Sequence, residues 1–189
     1  MQITLKQFQQ IYTAVKTNED EIDKLVNVCA ILHGGKAEDY LNKTPLELSK
    51  YKVDIEMPEG KAPVTIKVSG HSFMVNHLPS TLTMAEFIDL TEYTKNEESI
   101  VQNMHHIIAI FCKPEKRWFK KTITEREQIA NVLQNHLDIK VAYPTAVFFS
   151  SLYKSLLNRI RSYLMKKQLP LLKEQHKVLQ DLLKDITAG

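Results

Sequence analysis

At 189 residues, with 43% hydrophobic and 25% charged side chains, the chain is long enough to bury a core of its own without disulfide or metal staples. Five glycines and seven prolines exclude collagen-like and low-complexity character and count against a loop-rich all-β fold. A net charge of +3 permits an anionic partner without demanding one, and no run approaches the ~18 apolar residues that cross a bilayer.

Taken in order, Met1 to Lys6 lacks the basic start and apolar run of a signal peptide. Thr4-Leu5-Lys6-Gln7 reads as a capping box opening a helix to about Lys16, with Leu5, Phe8, Ile11, Tyr12 and Val15 as its apolar stripe. Acids at Asp20 and Glu21 suit the positive end of a second helix, which Gly34-Gly35 ends after His33. Ala37 to Leu41 makes a helical turn. Thr44-Pro45-Leu46-Glu47 starts another, with Thr as cap and Pro at the first helical position.

The period then changes to two. Tyr51, Val53, Ile55 and Met57 alternate with charged residues, as do Val64, Ile66 and Val68 with Thr65 and Lys67; Phe73-Met74-Val75 is a short third strand. Helical spacing resumes with the capping box Thr83-Met84-Ala85-Glu86 and an apolar stripe of Met84, Phe87, Ile88, Leu90 and Tyr93. After Asn96 comes a helix apolar around most of its circumference, from Ile100 to Phe111 and ending at Pro114, which implies deep burial. These two helices are expected to be the core.

Thr124-Glu125-Arg126-Glu127 reads as a further capping box for a helix to His136 or Leu137. A linker over Asp138 to Tyr143 follows, then a long helix from Pro144 through Leu164, broken or kinked at Pro170. A last helix, Leu171 to Ile186, carries Leu172, Leu179 and Leu183 on one side and lysines on the other, as a docking helix does. The fold expected is mainly α within an α+β description: a helical bundle with a small antiparallel β-hairpin or sheet insert. One domain covers 1–169, with the insert at about 51–76, and a C-terminal docking helix covers 170–189.

No residue pattern specifies a reaction. His105 and His106 are adjacent on a helix, so they point about 100° apart and do not clamp one metal as an i, i+4 pair would. His71, His77 and His136 have no ligand spacing around them. Gly34-Gly35-Lys36 follows a helix, whereas a phosphate loop follows a strand. Ser150-Ser151 lacks a glycine elbow. Asp20-Glu21, Glu97-Glu98 and Glu125-Glu127 begin helices, where the backbone dipole explains them. Cys29 and Cys112 lie in apolar helical patterns and read as buried free thiols. No cofactor or metal is expected, and the chain is not expected to be an enzyme.

The sharpest feature is Lys116-Arg117-Trp118-Phe119-Lys120-Lys121. Aromatics among cations stack bases in some proteins, anchor protein interfaces in others, and elsewhere form a solvated loop around one buried ring. Arg159, Arg161, Lys166, Lys167 and Lys173 form a second basic tract. Candidate interface residues are therefore Lys116, Arg117, Trp118, Phe119, Lys120 and Lys121, with Leu172, Leu179 and Leu183.

Phe73-Met74-Val75, Leu82-Thr83-Met84-Ala85-Glu86-Phe87-Ile88-Asp89-Leu90, Ile107 to Pro114 and Phe148-Phe149 together resemble small proteins of tailed bacteriophages, particularly the crAss-like phages of Bacteroidales. The resemblance covers about Phe73 to Leu164 and supplies no active residue. It implies a structural virion subunit, a portal or tail ring or connector, that is homo-oligomeric and bound to other virion proteins. Such a subunit would be made in the host cytoplasm and carried in the virion, with no membrane contact and with nucleic acid permitted. A tail-assembly chaperone absent from the finished particle is the alternative, and a nucleic-acid-binding accessory protein a third reading.

Overall fold

A computed structural model describes residues 2–18, 20–51, 60–78, 81–115 and 124–187, with side chains throughout except at 45, 49 and 167–187. The chain is mainly helical, with a small three-stranded antiparallel sheet, as expected. It divides into two units, Met1–Ser150 and Ser151–Gly189.

In the first unit, α1 (Leu5–Thr17) and α2 (Glu21–His33) form as their end residues dictate. Thr4 accepts the Gln7 N–H at 3.3 Å while the Gln7 side chain takes the Thr4 N–H at 3.0 Å. Asp20 caps α2, its Oδ1 accepting the Ile22 N–H at 2.7 Å. Gly34 and Gly35 follow with φ of 80° and 92°, backbone that favours glycine. The short helices α3 (Ala37–Leu41) and α4 (Pro45–Ser49) pack on α2 around Val26, Cys29, Tyr40 and Leu48, a satellite core.

The sheet has the order β1 (Thr65–Val68), β2 (His71–Val75), β3 (Cys112–Pro114). Ser69 and Gly70, with φ of 46° and 75°, form the two-residue turn whose twist suits a hairpin. The strand expected over 51–57 falls largely on residues outside the described ones. The third strand was expected to be a helix end. Instead α6 (Glu97–Phe111) stops at Phe111, and Cys112 turns extended and pairs with Val75. The edge of β2 captures the carbonyl: Asn76 N–H donates to Phe111 O at 2.8 Å. Pro114 disfavours helical backbone at Lys113, and as the last residue of an edge strand it costs the ladder no donor.

Only one of the two helices expected to form the core does so. Along α6, Val101, Met104 and His105, and every residue from Ile107 to Phe111, are buried. Before it, α5 (Met84–Tyr93) is capped as expected, with Glu86 N–H on Thr83 and Thr83 N–H on Glu86, but Leu90 is its one fully buried residue. Met84 and Ile88 stay 74% and 56% exposed. The core around α6 is completed by Leu5, Ile66, Phe73, Leu133 and Phe149. Phe111 and Phe149 stack face to face, with centroids 3.8 Å apart.

Two helix starts differ from the sequence expectation. Glu125, not Thr124, is the cap residue of α7 (Arg126–His136), and its side chain makes no capping bond; it accepts from Gln128 instead. The expected linker over 138–143 is already helix, because α8 runs from Ile139 to Thr187. Asp138 makes that start possible, its carboxylate accepting the Lys140 N–H at 2.8 Å. A bridge between Thr4 and Asp138 fixes the junction, with Leu5 N–H on Leu137 O and Ile139 N–H on Ile3 O. Pro144 then lies inside the helix, where it leaves the carbonyl four residues back, on exposed Lys140, to solvent. The helix also continues past Pro170, so the expected break there does not occur. Lys166, four residues before Pro170, is exposed as well, and water can take its carbonyl.

Candidate functional site

Two features of the described residues hold polar or unpaired groups with potential function: a polar junction inside the first unit and the exposed face of α8. The junction centres on Gln9, which is 4% exposed. Its Nε2 donates to the carbonyls of Val101 and Gln102 at 2.9 and 2.8 Å, and lies 3.2 Å from Nδ1 of His105. Its Oε1 accepts from Gln134 at 2.9 Å. One side chain thus ties α1 to α6 and α7, and Gln102 adds a second tie by donating to Thr13 at 2.8 Å. The two amide protons of Gln9 already have the two carbonyls as acceptors, so the 3.2 Å approach to His105 Nδ1 is a close contact and not a directed hydrogen bond. Burial first, and the neighbouring His106 second, hold the His105 pKa down at about 4.

His106 lies beside it, the two ring centroids 4.1 Å apart, and stacks on Tyr93 at 5.3 Å. Its buried Nδ1 makes no hydrogen bond; Glu127 Oε1 stands 3.8 Å away. Burial and the Asp89 carboxylate raise the Tyr93 phenol, while Asp89 itself is held by Arg126 at 2.7 Å. A cleft of ≈ 360 Å³ opens over His105, His106, Glu127 and Gln134. On the far side of Gln134 a wider open cleft of ≈ 620 Å³ is lined mainly by carboxamides and hydroxyls, with Lys6 the one charged side chain among the described residues that line it.

This junction holds a buried imidazole with a lowered pKa and a histidine–carboxylate pair beyond hydrogen-bond distance. Among the described residues no group of three His, Cys, Asp or Glu side chains is placed to hold a metal. Cys29 and Cys112 are free and buried; burial raises both thiols, Cys112 to about 12, so neither is a nucleophile at neutral pH. Ser150 is buried mid-helix with its Oγ unpartnered.

The second feature is the helix face of the second unit. Ile160, Tyr163 and Leu164 are 39%, 63% and 45% exposed. Of the interface residues expected from sequence, Lys116, Arg117, Trp118, Phe119, Lys120 and Lys121 lie outside the described residues. Leu172, Leu179 and Leu183 fall on the backbone of α8, but their side chains lie outside it too. Sequence reading did not single out Gln9 as a junction, nor Ile160 and Leu164 as an exposed face. The signal for the latter was available in their spacing beside Arg159 and Arg161.

No protein-family model, curated protein or solved structure matches the chain.

Proposed function

We propose that the protein is a non-enzymatic assembly subunit that engages another protein chain through the exposed face of α8. The observation that carries this reading is the apolar stripe on the second unit. Leu157, Ile160 and Leu164 repeat at the three-and-four spacing by which helices pack on helices, and Ile160 and Leu164 remain open to solvent. Burying such side chains is worth about 1.5–3 kcal/mol each, enough for a few of them to drive association.

The setting comes from the resemblance of residues 73–164 to tailed-phage proteins: a ring or connector subunit of the portal–tail region, built into the virion. A ring repeats one heterologous contact until the rotation closes. The second reading is a tail-assembly chaperone, favoured by the same stripe, because a stripe open in the single chain also suits temporary cover of a partner's apolar segment. Mass spectrometry of purified particles separates the two. A virion subunit is recovered at fixed stoichiometry. A chaperone is absent from particles and co-purifies with a tail protein. Recovery with neither would overturn both.

A further inference from the structure

We infer that the partner of α8 presents an apolar groove rimmed by carboxylates on both sides. The inference deepens, and rests on, the assembly reading above. At about 100° per residue, Leu156, Leu157, Ile160, Tyr163 and Leu164 share roughly one third of the helix circumference. Cations line both borders of that arc: Lys154 and Arg161 on one side, Arg159 and Lys166 on the other, all exposed. Ser155, Asn158 and Ser162 place short polar groups on the opposite side, where exposed Met165 also lies. From Ile139 to Lys173 the sequence has seven cations and no acidic residue, so no carboxylate within that stretch neutralises either row.

This arrangement selects among partners. A second copy packed seam to seam would set cation rows against cation rows, which disfavours pairing in either direction. A nucleic acid pairs with cations through phosphate, and would leave Leu157, Ile160 and Leu164 facing a polar, anionic surface. A protein groove with an apolar floor and acidic rims satisfies both features at once: the floor takes the stripe, and the rims take Lys154, Arg159, Arg161 and Lys166. Such rim pairs act on association rate and on choice of partner more than on affinity.

The test uses the full-length protein and two synthetic helical peptides with the same leucine stripe, one bordered by glutamates and the other by lysines. Fluorescence anisotropy should show the glutamate peptide binding at least tenfold more tightly, with an advantage that shrinks as salt rises. The triple variant R159E/R161E/K166E should reverse the preference, its first unit melting as in the wild type. Vesicles containing phosphatidylserine and a short DNA duplex are the competing probes. Equal binding of the two peptides, no binding of either, an unreversed preference in the variant, or tighter binding to vesicles or duplex would each overturn the inference. The assembly reading has its own readout. If both peptides fail but the chain is recovered in particles, the acidic rim alone is wrong; if it is also missing from particles and from tail-protein complexes, the assembly reading falls with it.

Discussion

Gln9 shows how much can rest on one side chain. It sits between Phe8 and Gln10 in α1 and its partners lie 92, 93, 96 and 125 residues away, so nothing local marks it as a junction. His105 was legible only as a histidine inside an otherwise apolar helix. Gln9→Ala removes the donor to the Val101 and Gln102 carbonyls and the acceptor of Gln134. It should lower stability by about 1–3 kcal/mol, the cost of leaving buried polar groups unpaired, as read by urea unfolding. The neutral state of His105 has a pH consequence. Its folded pKa is about 4, against 6.5 in the unfolded chain. Between those values the unfolded chain takes up a proton that the folded chain refuses, so stability falls as pH drops from 6.5 toward 4 and this contribution levels off below. Unfolding curves of the wild type and His105→Asn across that window should differ in slope, the variant being flatter. Parallel slopes would show that His105 is not held neutral.

At the scale of elements, legibility followed locality. The boxes at Thr4 and Thr83 are each closed by residues three apart and formed as read, and Thr44 caps α4 as read, with Glu47 closing a box there as well. Thr83→Ala should therefore cost about 1 kcal/mol, measured by thermal or urea unfolding. Thr124 satisfied the same pattern and failed, because α7 starts one residue later, at Arg126. The strand Cys112–Pro114 was unreadable for the opposite reason: its partner strand is about forty residues back, and the helical period of α6 runs up to its first residue. Pro144 looked like a helix start and is an interior residue, because Asp138 supplies the cap five residues earlier than the Pro pattern suggests. In the hairpin, Ser69 holds a φ of 46° ahead of Gly70, a conformation that Asn adopts more readily than Ser. Ser69→Asn should raise the unfolding free energy by a few tenths of a kcal/mol, and so the unfolding midpoint. A lower midpoint would contradict the assignment of this turn.

For the whole molecule, the mainly helical class with a small sheet was readable, because helix period, caps and turn residues agree along most of the chain. The distribution of burial was not. Met84 and Ile88 match the helical stripe of α5 and yet face solvent, since a single sequence shows which residues share a face but not which faces find a partner. The same holds for α8, where Phe149 is fully buried in the first unit while Ile160 and Leu164, at the same helical spacing further on, are open. That contrast is the physical basis for reading the second unit as a surface for another chain. It is tested most directly by density-gradient banding of particles assembled with either the wild-type chain or I160E/L164E, quantified by mass spectrometry. The account predicts that the wild type bands with particles at fixed stoichiometry and that the variant stays at the top of the gradient, its first unit melting unchanged. Equal banding of both chains, or of neither, would contradict it.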